Sequence, residues 1–209
     1  MATVIRITPV RAKAWIELDT GEKAWVWRKD LPGMELAEEQ EITLKAFHHL
    51  ILTRQYKDAL NRAVEMLTRR ACSQGEIEKK LWMLQYAPQT IEMVIYKLQR
   101  ENLLDDRSFS DQWVEYRSQG KYGPRRIYQE LRQKGVSQEV AQEALEAIGE
   151  EDQMAQAVHL AKKSLSRPKA GEDPKKTLQR ALNMLVRRGY DWDTAREACR
   201  AAVREIREE

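Results

Sequence analysis

A recurring helix-end pattern limits the fold of this chain more than any other feature of its sequence. In three segments a leucine is followed four positions later by glycine or, once, by glutamine, and the next residue is apolar or aromatic. The segments are Leu81, Gln85 and Tyr86; Leu131, Gly135 and Val136; and Leu185, Gly189 and Tyr190. Glycine followed by a hydrophobic residue is typical of a helix end at which one residue is left-handed. The leucines lie 50 and 54 residues apart. A repeat of this length predicts three tandem three-helix units, which stack on their neighbours as an elongated, curved body.

The first 33 residues follow a different period. Apolar and polar residues alternate between residues 12 and 18, a turn sequence follows at 19–22, and an aromatic run occupies 24–27. This pattern is typical of strands joined by tight turns. It predicts a small N-terminal β-hairpin or three-stranded sheet in residues 1–33, which needs helices packed against it to be stable.

From about Glu38 onward, apolar residues recur with the period of 3.6 that places them on one face of a helix. The chain is therefore predicted to be mainly α. The predicted helical segments are a connecting helix at 34–53 and three-helix repeats at 54–105, 106–149 and 151–209. The longer spacing before the third leucine is assigned to the polar segment 167–172.

Helix start signals support these repeats. Ser73, with Glu76 three residues later, forms a capping box. Asp173 precedes Pro174, which suits the first helical position, and Asp191 is a further N-cap. The signals predict helix starts in the first and third repeats.

Composition excludes several classes of protein. No apolar run is long enough to cross a bilayer, and the N-terminus lacks the pattern of a secretory signal. The two cysteines, Cys72 and Cys199, are far apart in sequence, so we expect no disulfide framework and a cytoplasmic location. The net charge is only +3, which argues against a protein that coats DNA without specificity.

Signals of catalysis are missing from the sequence. His48 and His49 are adjacent and His159 is distant, and the chain has neither a His-Glu-x-x-His motif nor a Cys-x-x-Cys motif. No glycine-rich phosphate loop precedes a helix, and no nucleophile has a recognisable base. We therefore expect a protein that is not an enzyme and that uses no metal or cofactor.

Several short motifs, taken in their order and spacing, resemble the RecX family of RecA recombinase modulators. The similarity covers residues 54–207 and is strongest at 95–145. The matching segments are Asn-Leu-Leu-Asp-Asp-Arg at 102–107, Gly-Pro-Arg-Arg-Ile at 123–127, Glu-Leu-Arg-Gln-Lys-Gly-Val at 130–136, Arg-Arg-Ala-Cys-Ser at 69–73, and Arg-Arg-Gly-Tyr at 187–190. The N-terminal β segment is similar to an extension found in some members.

The resemblance implies a function as well as a fold. It implies binding to RecA or to RecA–DNA filaments, and inhibition of ATP hydrolysis, strand exchange and the co-protease activity of the SOS response. A monomer is expected, with at most weak contact to DNA itself and none to membranes.

The basic stretch 121–134 is the best candidate for the partner surface, because it holds five cations and one anion. Its candidate residues are Lys121, Tyr122, Arg125, Arg126, Arg132 and Lys134. Secondary basic candidates end helices in the other repeats: Arg69, Arg70, Arg187 and Arg188. Composition alone favours a solvated helix face for the stretch, whereas the resemblance favours a binding role for Arg125 and Arg126.

Aromatic residues near this stretch divide into two groups. Trp113 and Tyr116 continue an apolar stripe and are expected in the core, whereas Tyr122 and Tyr128 are expected to be partly exposed.

Two other functions stay open from the sequence. A helical DNA-binding protein would use the 123–134 helix for recognition and would bind DNA without RecA. A general helical-repeat scaffold would have unrelated partners.

Overall fold

The N-terminal residues in which apolar and polar side chains alternate form an antiparallel sheet. The computed structural model describes residues 1–146, 148–167 and 173–208. The strands are β1 (Ala2–Val10), β2 (Lys13–Leu18), β3 (Lys23–Trp27) and β4 (Glu41–Ile42), in the order β3–β2–β1–β4. A 3-10 helix, Arg28–Gly33, follows β3. The segment expected to hold the extra length of the third repeat lies, apart from Arg167, outside the described residues.

The sheet has one strand more than the sequence pattern predicts. In β4, Ile42 pairs with Ala2 and Glu41 pairs with Thr3. The amide of Val4 extends this contact by donating to the carbonyl of Gln40 at 3.0 Å. Two residues are too few to show an alternating pattern, and this is why periodicity misses the strand.

The described residues also form nine helices in three groups of three. They are α1 (Leu44–Arg69), α2 (Gln74–Met83), α3 (Pro88–Arg100), α4 (Asp106–Gln119), α5 (Pro124–Gln133), α6 (Gln138–Glu146), α7 (Glu150–Leu165), α8 (Pro174–Arg187) and α9 (Trp192–Glu208). We refer to α1–α3, α4–α6 and α7–α9 as repeats 1, 2 and 3. The predicted fold class, mainly α with three three-helix repeats and a small N-terminal sheet, is confirmed.

Helix α1 differs from the expected division of its region. The boundary expected between residues 53 and 54, which separates a connecting helix from the first repeat, lies inside this single helix of 26 residues. The side chain of Thr43 caps its start by accepting from the amide of Ala46. No glycine or proline interrupts it, so its buried face is continuous. The buried positions on that face are Phe47, Ile51, Gln55, Ala59 and Ala63.

The chain divides into two compact units, residues 1–105 and 106–209. In the first unit, buried Gln55 joins the sheet to repeat 1. Its Nε2 donates to the carbonyl of Trp25 at 2.7 Å, and its Oε1 accepts from the amide of Ala87 at 2.8 Å and from Thr90 Oγ1 at 3.2 Å. A buried amide with these partners stabilises the position of β3 against the start of α3, because leaving any of them unpaired would be costly.

Tryptophan packing completes this junction. Trp25 is almost fully buried, and its ring lies 5.2 Å from that of Trp27 and 5.2 Å from that of Tyr86. The ammonium of Lys13 lies 3.7 Å from the centre of the Trp25 ring and donates to the carbonyl of Leu84 at 3.1 Å. The sheet is therefore supported by repeat 1, as its small size requires.

The three predicted helix ends have the same geometry. The middle residues Gln85, Gly135 and Gly189 have left-handed φ values of 67°, 84° and 95°. The amide of the following residue donates to the carbonyl of the leucine in each segment. These N–O distances are 3.2 Å for Tyr86, 3.1 Å for Val136 and 3.2 Å for Tyr190. This is the Schellman pattern. Repeat 1 therefore keeps the turn without its glycine.

Helix start signals also act as expected. Ser73 and Glu76 form the reciprocal capping box of α2. Asp173 accepts from the amide of Lys175 at 2.9 Å, and Asp191 accepts from that of Thr194 at 2.9 Å.

Some further features can be stated for the described residues alone. None of their helices combines the length and the apolar composition of a membrane span. They contain no cluster of three His, Cys, Asp or Glu side chains able to hold a metal ion. Cys72 and Cys199 are buried free thiols.

Replacement of Gln85 by glycine tests the strain of the first helix end. Gln85 is exposed and holds a left-handed conformation that costs an L-residue about 1–2 kcal/mol. We expect Gln85→Gly to raise the free energy of unfolding by about 1 kcal/mol, measured by urea denaturation. Gln129→Gly, at an exposed position inside α5, is the control and should lower it by about 1 kcal/mol. A destabilised Gln85→Gly protein would contradict this explanation.

Candidate interaction surface around helix α5

The basic stretch begins at the end of α4 rather than inside a helix. Lys121 is left-handed with a φ of 58°, and the amide of Tyr122 donates back to the carbonyl of Arg117 at 3.2 Å. This turn reverses the chain. Gly123 then caps α5 at its N-terminus, and Pro124 occupies the first helical position.

Two glycines bring repeats 2 and 3 into backbone contact inside the second unit. The amide of Gly123 donates to the carbonyl of Arg188 at 2.8 Å, and the amide of Arg125 donates to the carbonyl of Gly189 at 3.1 Å. A Cβ on Gly123 would lie 2.4 Å from the carbonyl carbon of Gly189, and one on Gly189 would lie 2.4 Å from the Cβ of Arg126. Only residues without a side chain allow so close an approach. We call this pairing the Gly123–Gly189 contact.

The contact affects how α5 can bind an anion. Free N–H groups at a helix N-terminus often hold phosphate. Here the amides of Gly123 and Arg125 already donate to carbonyl groups of repeat 3. Any anion that meets this surface must therefore be bound by side chains.

Tyr122 lies among three guanidinium groups. Their central carbons are 3.9 Å (Arg117), 4.4 Å (Arg126) and 5.5 Å (Arg188) from the centre of its ring. Cations attracted to the face of an aromatic ring hold both partners in place. Arg188 also donates to the carbonyls of Gly120 at 3.3 Å and Lys121 at 3.2 Å, which fixes the turn from the side of repeat 3.

The carboxylate of Glu130 holds two of these three guanidinium groups. Glu130 forms ion pairs with Arg117 and, at 3.2 Å, with Nε of Arg126, and it accepts from Nε1 of Trp113 at 3.2 Å. Burial alone would raise the pKa of Glu130, but the hydrogen bonds from Arg117 and Arg126 outweigh it and hold the pKa below its usual range. Glu130 is therefore ionised at neutral pH and anchors the cluster.

The predicted candidates in the basic stretch divide by exposure. Arg126 is engaged with Glu130 and Tyr122, and the Lys134 ammonium lies 4.2 Å from the centre of the Trp113 ring. Arg132 is exposed and donates to the carbonyl of Val136. Arg125 is exposed, and its side chain makes no hydrogen bond or ion pair with any described residue. Among these candidates, Arg125 is thus the most available to a partner.

The secondary candidates also fall into two groups. Arg70 forms an ion pair with Glu76 at 3.0 Å, and Arg188 is engaged with the turn after α4. Arg69 and Arg187 are exposed at the ends of their helices.

Sequence reasoning missed Arg117 and misplaced one aromatic residue. Arg117 lies on α4, outside the basic stretch, and reaches Glu130 across thirteen residues of sequence; no local spacing rule reports such a pair. Tyr116 was expected in the core but is 63% exposed. The buried positions of α4 are instead Phe109, Ser110 and Val114. Tyr122 and Tyr128 are half-buried, as expected.

Comparison with known families matches all three repeats. The models of the first, second and third three-helix domains of RecX match residues 59–98, 105–145 and 150–199. The chain belongs to the RecX family. These matches coincide with the helices of repeats 1, 2 and 3, so the RecX architecture accounts for most of the chain.

Individual RecX proteins agree with this assignment. Regulatory protein RecX of Corynebacterium efficiens is 35% identical over 156 residues, covering 70% of this chain and 74% of that protein. Regulatory protein RecX of Prosthecochloris aestuarii is 37% identical over 144 residues, covering 68% and 91%. The crystal structure of RecX from Lactobacillus salivarius has a TM-score of 0.64 at 22% identity, covering 74% of this chain and 98% of that one, and shows the common fold. The chain thus belongs to a family of regulatory proteins.

Substitution of Gly123 tests the backbone contact between repeats 2 and 3. Its φ of −76° suits alanine, so any loss must come from the clash with Gly189. We expect Gly123→Ala to lower the free energy of unfolding by about 2–3 kcal/mol, as forced overpacking does. Gly33→Ala, which has nothing within 4 Å of the added Cβ, is the control and should change stability little. Equal effects in both variants on chemical denaturation would show that the contact is not tight.

Removal of the Glu130 charge tests the anchor of the cluster. Glu130→Gln leaves two partly buried guanidinium groups without their carboxylate, so we expect a loss of about 1–2 kcal/mol at pH 7. The pKa of Glu130 is lower in the folded protein than in the unfolded chain. The contribution of Glu130 to the free energy of unfolding is therefore complete above the ordinary pKa of a carboxyl group. It is lost as the pH falls through the lowered value. The difference between wild type and variant should therefore shrink in acid. Exposed Glu115→Gln on α4 is the control, and a difference independent of pH would contradict the assignment.

Proposed function

We propose that this protein regulates RecA by binding RecA or RecA–DNA filaments, and that it inhibits their recombinase, ATPase and SOS co-protease activities. Membership of the RecX family supports a regulatory role. The RecX resemblance is what points to RecA as the partner. The proposal places the protein in the cytoplasm, acting as a monomer.

The observation that carries the proposal is the exposed side chain of Arg125, which is unpaired among the described residues and lies at a fixed backbone position in the first turn of α5. Arg125 is exposed and free of internal partners among the described residues, while the cations beneath it are paired with Glu130 or stacked on Tyr122. The Gly123–Gly189 contact fixes the backbone at Arg125 itself. A guanidinium group without an internal partner can pair with a carboxylate or phosphate of another molecule without giving up existing contacts.

A filament offers such acceptors many times. It presents acidic side chains on each protomer and phosphates on its DNA, so one protein with several cationic positions can bind at more than one point. Linked contacts of modest strength give avidity for the polymer over the free subunit. Lys121, Arg125 and Arg132 are the residues we propose for these contacts in repeat 2.

Neutralisation of two of these cations tests the function. We expect Arg125→Gln/Arg132→Gln to raise the concentration that half-inhibits the single-stranded-DNA-dependent ATPase of RecA by about tenfold, since each charged hydrogen bond contributes about 1.5–3 kcal/mol before losses to solvent. The measurement is ATP hydrolysis by RecA with the protein titrated in. Arg196→Gln/Arg200→Gln, which removes two exposed cations of α9, is the matched control and should inhibit like wild type.

Two outcomes would count against the proposal. Absence of inhibition by wild type at micromolar concentration and low salt would remove RecA as the target. Inhibition that persists unchanged in Arg125→Gln/Arg132→Gln would move the contact away from α5. Binding of naked duplex DNA that depends steeply on salt and on these two residues would favour the alternative of a helical DNA-binding protein.

A further inference from the structure

A second concentration of cations lies at one end of the N-terminal sheet, in the first unit. The turn between β1 and β2 carries Arg11, and the chain leaves β3 through Arg28 and Lys29. The amide of Arg28 donates to the carbonyl of Ala12 at 2.9 Å, which brings the two segments together. We call Arg11, Arg28 and Lys29 the sheet-end cations.

These cations form no ion pair with a described residue. All three side chains are exposed, and none forms a hydrogen bond or ion pair with a described residue. Like charges held together without an internal partner raise the local potential, which attracts an anion from outside.

The neighbouring charges are engaged elsewhere. Asp58 lies beside the sheet-end cations, but its carboxylate accepts from the hydroxyl of Tyr86. Lys13 donates to the carbonyl of Leu84, and burial lowers the pKa of its ammonium despite the opposing charge of Asp58. The positive charge of Arg62 acts on both Lys13 and Tyr86. Asp58 thus interacts with Tyr86 and Lys13, and it forms no ion pair with a sheet-end cation.

A cleft and an aromatic ring lie beside the same residues. The cleft measures about 690 Å³ and is lined by Ala12, Trp27, Arg28, Lys29 and Asp58. Trp27 is half-buried, because its ring packs at 76° to that of Trp25. The underlying packing holds the indole in place, and part of its surface lines the cleft.

We propose that the sheet-end cations and Trp27 form a binding site for single-stranded nucleic acid. The cations contact successive phosphates, and a base stacks on the exposed part of the indole. This combination of a cationic track with a fixed aromatic surface is how proteins hold unpaired strands without reading their sequence. An acidic protein segment would use the charges but not the ring, so the nucleic acid is the better match. The site belongs to the first unit, whereas α5 belongs to the second, and the site requires no RecA.

Fluorescence anisotropy of a labelled dT oligonucleotide tests the site, with the full-length protein titrated in at low salt. We expect Arg28→Gln/Lys29→Gln to weaken binding about tenfold and to reduce the slope of log K against log salt by about 1.4, since each phosphate contact on a single strand contributes about 0.7. Arg11→Asn should weaken binding in the same direction. Asparagine tolerates the left-handed φ of 56° at this position, so that variant removes the charge without adding strain.

Arg6→Gln/Lys45→Gln is the matched control. It removes two exposed cations elsewhere in the first unit, with Lys45 next to the end of the sheet where β4 pairs with Ala2 and Thr3. It should bind the oligonucleotide like wild type. Equal weakening in both double variants, or no binding by wild type at low salt, would overturn the site. So would stronger competition by poly-glutamate than by unlabelled dT, because the surface would then be a site for acidic protein. The assay contains no RecA, so its failure leaves the proposed regulation of RecA to be judged by the ATPase measurement.

Discussion

The left-handed residue that ends the second helix of each repeat is the constraint on which the rest of the architecture depends. It sends the chain into the third helix at a fixed angle, and it exposes a carbonyl group immediately before it. At Arg188 that carbonyl accepts from the amide of Gly123. At the equivalent Leu84 of repeat 1, it accepts from the ammonium of Lys13. The N-terminal sheet therefore supplies a hydrogen-bond donor to the turn of repeat 1, as the start of α5 does to the turn of repeat 3. In both places the contact pairs a carbonyl group that the end of the helix leaves without an intrahelical partner.

The same contacts decide which cations can act outside the protein. Arg117, Arg126 and Arg188 hold the turn before α5 through Tyr122, Glu130 and backbone carbonyls. These three guanidinium groups stabilise the fold through intramolecular contacts, although they lie close to the surface. A guanidinium group that already has a carboxylate and an aromatic partner gains less from a new anion than a free one does, because it must give up existing contacts. Arg125 has none to give up among the described residues.

Local sequence patterns predicted most of the fold, because helix periodicity, capping residues and turn residues each depend on residues that are only a few positions apart. Gln85 shows how far this extends: its neighbours Leu81 and Tyr86 predicted a helix end, and the hydrogen bond between them forms even without glycine. Contacts that form across long stretches of sequence were not predictable in this way. Strand β4 depends on pairing with the first residues of the chain, and Arg117 reaches Glu130 from another helix. The role of the stretch 121–134 as a partner surface stays a prediction. Which of its cations hold the turn before α5 and which are exposed depends on contacts between α4, α5 and repeat 3, and local sequence patterns do not report these.

Net charge is a poor guide to binding in a protein built like this one. A total of +3 on 209 residues produces little long-range attraction, and at physiological salt exposed charges are screened beyond about 8 Å. Binding then depends on how many unpaired cations lie within one screening length of each other. At the sheet end, the backbone hydrogen bond from Arg28 to Ala12 brings together the two segments that carry Arg11, Arg28 and Lys29. Around α5, Arg125 can act together with Lys121 and Arg132, since Arg126 between them is already paired with Glu130. The number of unpaired cations that one surface presents, rather than the net charge of the chain, therefore determines how steeply binding at that surface depends on salt.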